Sequence, residues 1–206
     1  MHGNTVGSRE SLTKSQNDIL IGKILGDGCL ERNGINVRLK IEQGDKQREY
    51  VNWLYDQFKP HVGRPPRALF HSGISGIKTK RWRFSTLTKS FLNPYQTLFY
   101  KESRKVISSK IVSLINTPLI LAVWYMDDGY MRTDKTGIYL CTSSFSLREH
   151  KLLQQALTKN FEIDSSIHYA GEYPRIYIPS RSRDDFLGII QPYVLGLFRY
   201  KLSLTP

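Results

Sequence analysis

Two acids pose the first chemical question in this 206-residue chain. Asp27 closes the stretch "LIGKILGDG" (residues 20–28), and Asp128 closes "LAVWYMDDG" (residues 121–129). A carboxylate at the end of a buried helix is costly, because desolvation and the negative end of the helix dipole both oppose its charge. One such acid could be a turn former, since Asp-Gly is a strong turn signal. Two of them, half a chain apart, point to an internal repeat whose acids become a pair when the two apolar helices lie side by side. A divalent cation shared by the pair would relieve the repulsion, and hard oxygen ligands select magnesium, calcium or manganese. Beneath a basic surface such a cluster suits phosphodiester hydrolysis, because the metal activates a water and stabilises the departing oxygen.

The charge supplies that surface. Thirty Lys and Arg stand against 18 Asp and Glu, a net charge of +12. Between Gln57 and Lys105 there are eleven basic residues and a single acid, Glu102. That density predicts a polyanionic partner, most simply nucleic acid. Only Cys29 and Cys141 are present, without metal-ligand spacing, so neither a disulfide framework nor a zinc site is expected and a reducing compartment fits. No apolar run approaches a membrane span, "MHGNTVGSRE" lacks the apolar core of a signal peptide, and no glycine group forms a P-loop. With 40% hydrophobic residues the chain has enough apolar material for a core.

The elements that position the acids follow from periodicity. Ser15 and Asp18 resemble a capping box, and Leu20, Ile21, Ile24 and Leu25 predict a helix over 15–26. Thr117 as N-cap and Pro118 at the first helical position predict a second, almost wholly apolar helix over 119–126. Gly28 and Gly129 are then free to turn the chain. "NVRLKIE", "RWRFS", "IYLCT" and "RIYIP" alternate apolar and polar residues, the pattern of half-buried strands. "REYVNWLYDQF" (48–58) and "REHKLLQQALTKNF" (148–161) read as matching helices. The order is helix, two strands, helix, two strands, helix, twice over. Residues 1–14 read as a disordered lead-in, 15–105 as the first half and 106–206 as the second. A basic, polar link near 100–116 joins halves expected to pack directly, their sheets giving one concave basic surface. Trp53, Trp82 and Trp124 fall on apolar faces and are expected in the core, whereas Tyr139 and Tyr177 fall on polar strand faces.

At the two nonapeptides a resemblance becomes specific. They are similar to the paired motifs of LAGLIDADG homing endonucleases, in the branch carrying both copies on one polypeptide. The resemblance continues through "IEQGDKQREYVNWLYDQF", "RKVISSKIVSLINTPLILAVWYMDDG", "TSSFS" and "QPYVLGLFRYKL". It implies an α+β fold: a duplicated αββαββα unit, its halves related by a pseudo-twofold axis, with saddle-like antiparallel sheets. It implies that Asp27 and Asp128 ligate metal, that the carbonyls of Gly26 and Asp127 complete the coordination, and that Mg2+ is the cofactor, with Mn2+ or Ca2+ able to take the same sites. Lys105 and Lys201 match basic residues beside the scissile phosphates, and Gln43 a residue that organises water.

Three positions depart from the pattern. Lys23 replaces an apolar residue, Val123 stands where a glycine often allows close helix approach, and Ser143 replaces a glutamine. Looser helix packing and unequal cleavage centres are the expectation. The resemblance implies a monomeric, metal-dependent endonuclease that cuts both strands of a long, specific target in duplex DNA and promotes mobility of its host intron. The implied compartment is an organelle, mitochondrion or chloroplast, or a prokaryotic cytoplasm, without membrane association. Arg38, Lys40, Arg81, Arg83, Arg175 and Tyr177 are the leading groove contacts, joined by Arg67, Lys80, Arg132 and Tyr139. The alternative is an RNA maturase that assists intron splicing through the same basic surface.

Overall fold

Helix α1, Lys14–Leu25, begins where a Thr-x-x-Gln pair closes its first turn. Thr13 Oγ1 accepts the Gln16 N–H at 3.2 Å, and Gln16 Oε1 accepts the Thr13 N–H at 2.9 Å. The capping box is therefore Thr13 with Gln16, not Ser15 with Asp18. The structure is a computed structural model that describes residues 11–72 and 78–202. Most of the expected lead-in, residues 1–10, lies outside the described residues.

After α1 the chain forms β1 (Cys29–Asn33), β2 (Asn36–Gly44), α2 (Arg48–Phe58), β3 (Arg67–Ser72), β4 (Lys78–Ser85) and α3 (Asn93–Phe99). A short hairpin, β5 (Tyr100–Lys101) with β6 (Arg104–Lys105), and the one-turn α4 (Ile111–Leu114) follow. The order then repeats as α5 (Pro118–Asp128), β7 (Gly129–Met131), β8 (Gly137–Leu140), α6 (Leu147–Phe161), β9 (Ser166–Ala170), β10 (Tyr173–Pro179) and α7 (Ser180–Ile190). Each repeat carries a four-stranded antiparallel sheet, ordered β1-β2-β4-β3 in the first and β7-β8-β10-β9 in the second. The α+β class and the duplicated element order are as the sequence predicts.

Contacts group the chain into two compact units, and the grouping does not follow chain order. The first holds the described residues up to Asn17 together with Gly28–Pro94, while the second holds Asp18–Asp27 together with the described residues from Tyr95 onward. In the first unit Val37, Leu39 and Ile41 of β2 and Phe84 of β4 pack inward with Tyr50, Val51, Leu54 and Phe58 of α2. Trp124 is fully buried as expected, but Trp53 and Trp82 are half-exposed. The Trp82 indole N–H donates to Asp45 at 2.7 Å, and the Arg48 guanidinium sits 4.3 Å from its ring centroid, so this tryptophan closes the edge of the core instead of filling it.

In the second unit α5 is buried from Ile120 through Met126. Thr117 occupies the N-cap position without capping, because its hydroxyl donates to Asp18 Oδ2 at 3.1 Å. Helix-helix approach is close, contrary to the looser packing expected from Val123. A Cβ on Gly22 would lie 2.7 Å from Val123 Cβ and 2.8 Å from the Ile120 carbonyl, so the first helix supplies the small residue that the second lacks. Gly129 is likewise required for space and not for turning. Its backbone is extended (φ −86, ψ 149), and a Cβ would fall 1.9 Å from the Tyr125 ring.

The Gly22–Val123 contact generates a prediction. Gly22→Ala overpacks it and should destabilise the protein by about 1 to 3 kcal/mol, a cost that Val123→Ala in the same chain should partly reverse. Urea denaturation of the two single variants and the double variant measures both, and strictly additive losses would refute the assigned contact.

Candidate active site

The two acids sit where two helices run out of hydrogen-bonding partners. The last carbonyls of any helix are unsatisfied and carry partial negative charge. In α1 and in α5 an ammonium from elsewhere in the same unit meets them. Lys105, on the short hairpin, donates to the Gly26 carbonyl at 2.6 Å. Lys201, in the 3-10 segment Gly196–Leu202, donates to the carbonyls of Met126 at 2.7 Å and Asp127 at 3.3 Å. Each acid-bearing helix thus ends on a lysine, and both lysines are the ones that the sequence selects.

Asp127 does not face solvent. Its enclosed carboxylate is held by the equally enclosed Lys23 ammonium at 2.6 Å, and its Oδ2 accepts the Asp27 backbone N–H at 3.0 Å. Burial drives this carboxyl up, while Lys23 and the Asp27 N–H draw it back toward the charged form. A Cβ on Gly26 would meet the Asp127 side chain at 2.5 Å, so glycine is what lets the clamp close. The effect is to tie the backbone of one acid-bearing turn to a side chain of the other.

Asp27 is exposed, whereas Asp128 is half-buried. Burial first, then the charges of Asp27 and Asp127, push the Asp128 carboxyl up to about 7, against the pull of Lys105 and Lys23. Burial also lowers the Lys201 ammonium, although Asp127, Asp128 and Asp27 all favour its charge. Among the described residues no group of three His, Cys, Asp or Glu side chains is placed to hold a metal ion. Divalent-metal use, which the resemblance implies, would therefore combine the two carboxylates with backbone carbonyls. These donors fit a hard cation: all are oxygens, and the carbonyls of Gly26 and Asp127 already attract ammonium groups.

The basic residues divide between two sheet faces. In the first unit Arg38, Lys40, Arg67, Arg81 and Arg83 share the polar side of β2, β3 and β4. Two acids organise them. Glu31 pairs with Arg38 at 3.1 Å and with Lys40, while Glu42 pairs with Arg83 and with Arg81 at 3.0 Å. Lys80 does not join them: it projects on the Trp82 side of β4, pairing with Asp45 at 3.2 Å, because one residue of offset reverses the face. Gln43 also lies on the inward side of β2, opposite Trp82 and 4% exposed.

In the second unit the polar face is aromatic. Tyr139 is 5% exposed, with Tyr130, Tyr177 and His168 around it and the Arg175 guanidinium 3.7 Å from its ring centroid. It is therefore a covered residue, not the exposed one that strand alternation predicts. Arg175 also donates to the Tyr130 hydroxyl. Arg132 is braced by Asp134 and by the Tyr139 hydroxyl. Ser143 is exposed on the turn after β8. Sequence reading missed Glu31, Glu42, Tyr130 and His168; the two acids could have been found as cross-strand partners of Arg38 and Arg83.

Comparison with known proteins supplies a context for this geometry. The family model for the LAGLIDADG DNA endonuclease family matches residues 17–186. The chain superimposes on the solved structure of the homing endonuclease I-WcaI bound to its DNA recognition sequence with a TM-score of 0.89, at 26% identity, covering 100% of this chain and 96% of that one. It is 28% identical to the DNA endonuclease I-ChuI of Chlamydomonas applanata, over 94% of this chain and 96% of the relative. It is also 28% identical to the cytochrome b mRNA maturase bI2 of Debaryomyces hansenii, over 96% of this chain and 77% of the relative.

The enclosed pair beneath the acids is open to test. Lys23→Met keeps the volume but leaves Asp127 charged and buried without its ammonium, which should cost about 3 to 5 kcal/mol. Adding Asp127→Asn, whose amide oxygen can still accept the Asp27 N–H, should recover part of the loss. Chemical denaturation decides it: an unchanged midpoint for Lys23→Met would show that the pair contributes nothing.

Proposed function

The chain belongs to the LAGLIDADG DNA endonuclease family, and from that premise we propose that it is a homing endonuclease acting as a monomer on a long, specific site in duplex DNA. It cuts both strands and thereby promotes the mobility of its host intron. The observation that carries this reading is the doubled arrangement at the helix ends: two acids, each beside terminal carbonyls that a lysine ammonium already occupies.

Magnesium is the proposed cofactor, held by the carboxylates of Asp27 and Asp128 and the carbonyls of Gly26 and Asp127; manganese or calcium fits the same oxygen donors. When bound, the metal supplies Lewis acidity and an activated water. The protein's own groups do the rest. Lys105 and Lys201 place positive charge where a scissile phosphate accumulates negative charge, and their anchoring on backbone carbonyls fixes them before DNA arrives. The Lys23–Asp127 clamp holds the turn carrying Asp27, which keeps its carboxylate in register with that of Asp128. The arginines of β2, β3 and β4 supply guanidinium forks suited to guanine edges and phosphates. Free Cys29 and Cys141 suit a reducing compartment, in an organelle or a prokaryotic cytoplasm.

A second reading, a maturase that binds intron RNA through the same basic faces, is favoured by the likeness to the Debaryomyces maturase. The acids separate the two. Asp27→Asn and Asp128→Asn keep the turn-forming shape but remove a charge, so each should abolish magnesium-dependent cleavage while DNA affinity stays within a few-fold of the parent. Cleavage of a randomised duplex library, followed by sequencing of the ends, is the assay. Parental cutting by both variants would overturn the catalytic assignment, and splicing support that survives in both would favour the maturase.

A further inference from the structure

The polar face of the second sheet carries a directed chain of hydrogen bonds that the helix ends do not use. Asp134 holds Arg132 through Nε at 3.0 Å and Nη2 at 2.7 Å. Arg132 Nη1 donates to the Tyr139 hydroxyl at 3.0 Å, and that hydroxyl lies 3.2 Å from His168 Nδ1. The His168 ring stacks on Tyr177, with centroids 4.1 Å apart and planes 21° from parallel. Tyr177 in turn is fixed by its hydroxyl, which donates to the Thr136 carbonyl at 3.2 Å.

Donor chemistry gives the chain a direction. A guanidinium has donors only, so Tyr139 accepts from Arg132 and keeps its own proton to give. Among the described residues the only acceptor within reach of that proton is His168 Nδ1. Nδ1 is then the acceptor nitrogen, and Nε2 carries the hydrogen. An Nδ1 that accepts from Tyr139 belongs to a neutral ring, and burial together with the charges of Arg175 and Arg132 shifts the imidazole down, in the same direction. Nε2 has no partner among the described residues. The result is a neutral donor, locked in tautomer by a hydrogen bond and in plane by a stacked ring, on a face that also carries tyrosines, Arg132 and Arg175.

We propose that His168 is a specificity-determining residue whose Nε2–H reads a purine N7 in the major groove of the target. This rests on the reading of the protein as a DNA endonuclease. A fixed donor suits the acceptor that adenine and guanine share at N7 and finds only a donor on cytosine, so it discriminates purine from cytosine at one position. A charged imidazolium or a free rotor would be satisfied equally by phosphates, whereas the relay removes both alternatives.

The test uses the full chain and a duplex that it selects from a randomised library by magnesium-dependent cleavage. Affinity is then measured in EDTA for copies of that duplex carrying 7-deazapurine at one position at a time. At one position the analogue should weaken binding on the order of three- to tenfold, the worth of one hydrogen bond, and His168→Phe should be insensitive to the same replacement. Phenylalanine keeps the stack on Tyr177, so a folding defect is avoided. Imidazole 15N spectra should show protonated Nε2 in the parent and mixed tautomers in Tyr139→Phe, which tests the tautomer lock itself. Failure to select any duplex overturns both the endonuclease reading and this proposal. If a duplex is selected but no position distinguishes parent from His168→Phe, or if the parent carries its proton on Nδ1, the proposal about His168 alone is overturned.

Discussion

The enclosed Lys23–Asp127 pair is the interaction on which the rest of the second unit turns. Burying two acid-bearing helix ends beside each other is unfavourable on its own, since three carboxylates, those of Asp27, Asp127 and Asp128, gather where helix dipoles are already negative. The structure answers with three ammonium groups. Lys23 neutralises the innermost acid, and Lys105 and Lys201 satisfy the carbonyls at the rim. Buried pairs are weak contributors to net stability but strong selectors of geometry, because a one-residue slip would leave a charge without its partner. Register between the two helices is therefore fixed electrostatically at their ends and sterically at Gly22 and Gly26, where no larger residue fits.

The two sheet faces are built by different means. The first presents guanidinium and ammonium groups whose rotamers are restrained by Glu31 and Glu42, so less side-chain entropy remains to be lost on binding. The second uses rings: Tyr130, Tyr139, Tyr177 and His168 stack and brace one another, and Arg175 lies across them. Rigid aromatic groups offer large contact area at low entropic cost.

Much of this was legible in the sequence, and the illegible part has physical causes. The quoted strands are the central ones, β2, β4, β8 and β10, whose sequences alternate apolar and polar residues. The edge strands β1, β3, β7 and β9 escape such reading: β3, for instance, is exposed or half-exposed throughout and shows no clean period. The two acids and two lysines were found through repetition and motif, yet the role of Lys23 was not, since a lysine in an apolar helix reads as a flaw until its partner a hundred residues away is placed beside it. Lys80 and Tyr139 were misplaced because alternation says which side a residue leaves the strand, and not what covers it.

Glu42 illustrates a cost that positive charge alone would hide. It engages Arg81 and Arg83, with the His71 imidazole 3.5 Å away. A phosphate that takes the guanidinium donors held by Glu42 has to displace a carboxylate already in place. Phosphates alone therefore gain less from this face than from unpaired arginines, and on the proposed reading a larger share of the affinity falls to contacts with base edges. On that reading the consequence is kinetic: an acid on a basic sheet shortens the dwell time on wrong sequences, and a protein with one address among a great many speeds its search by letting go.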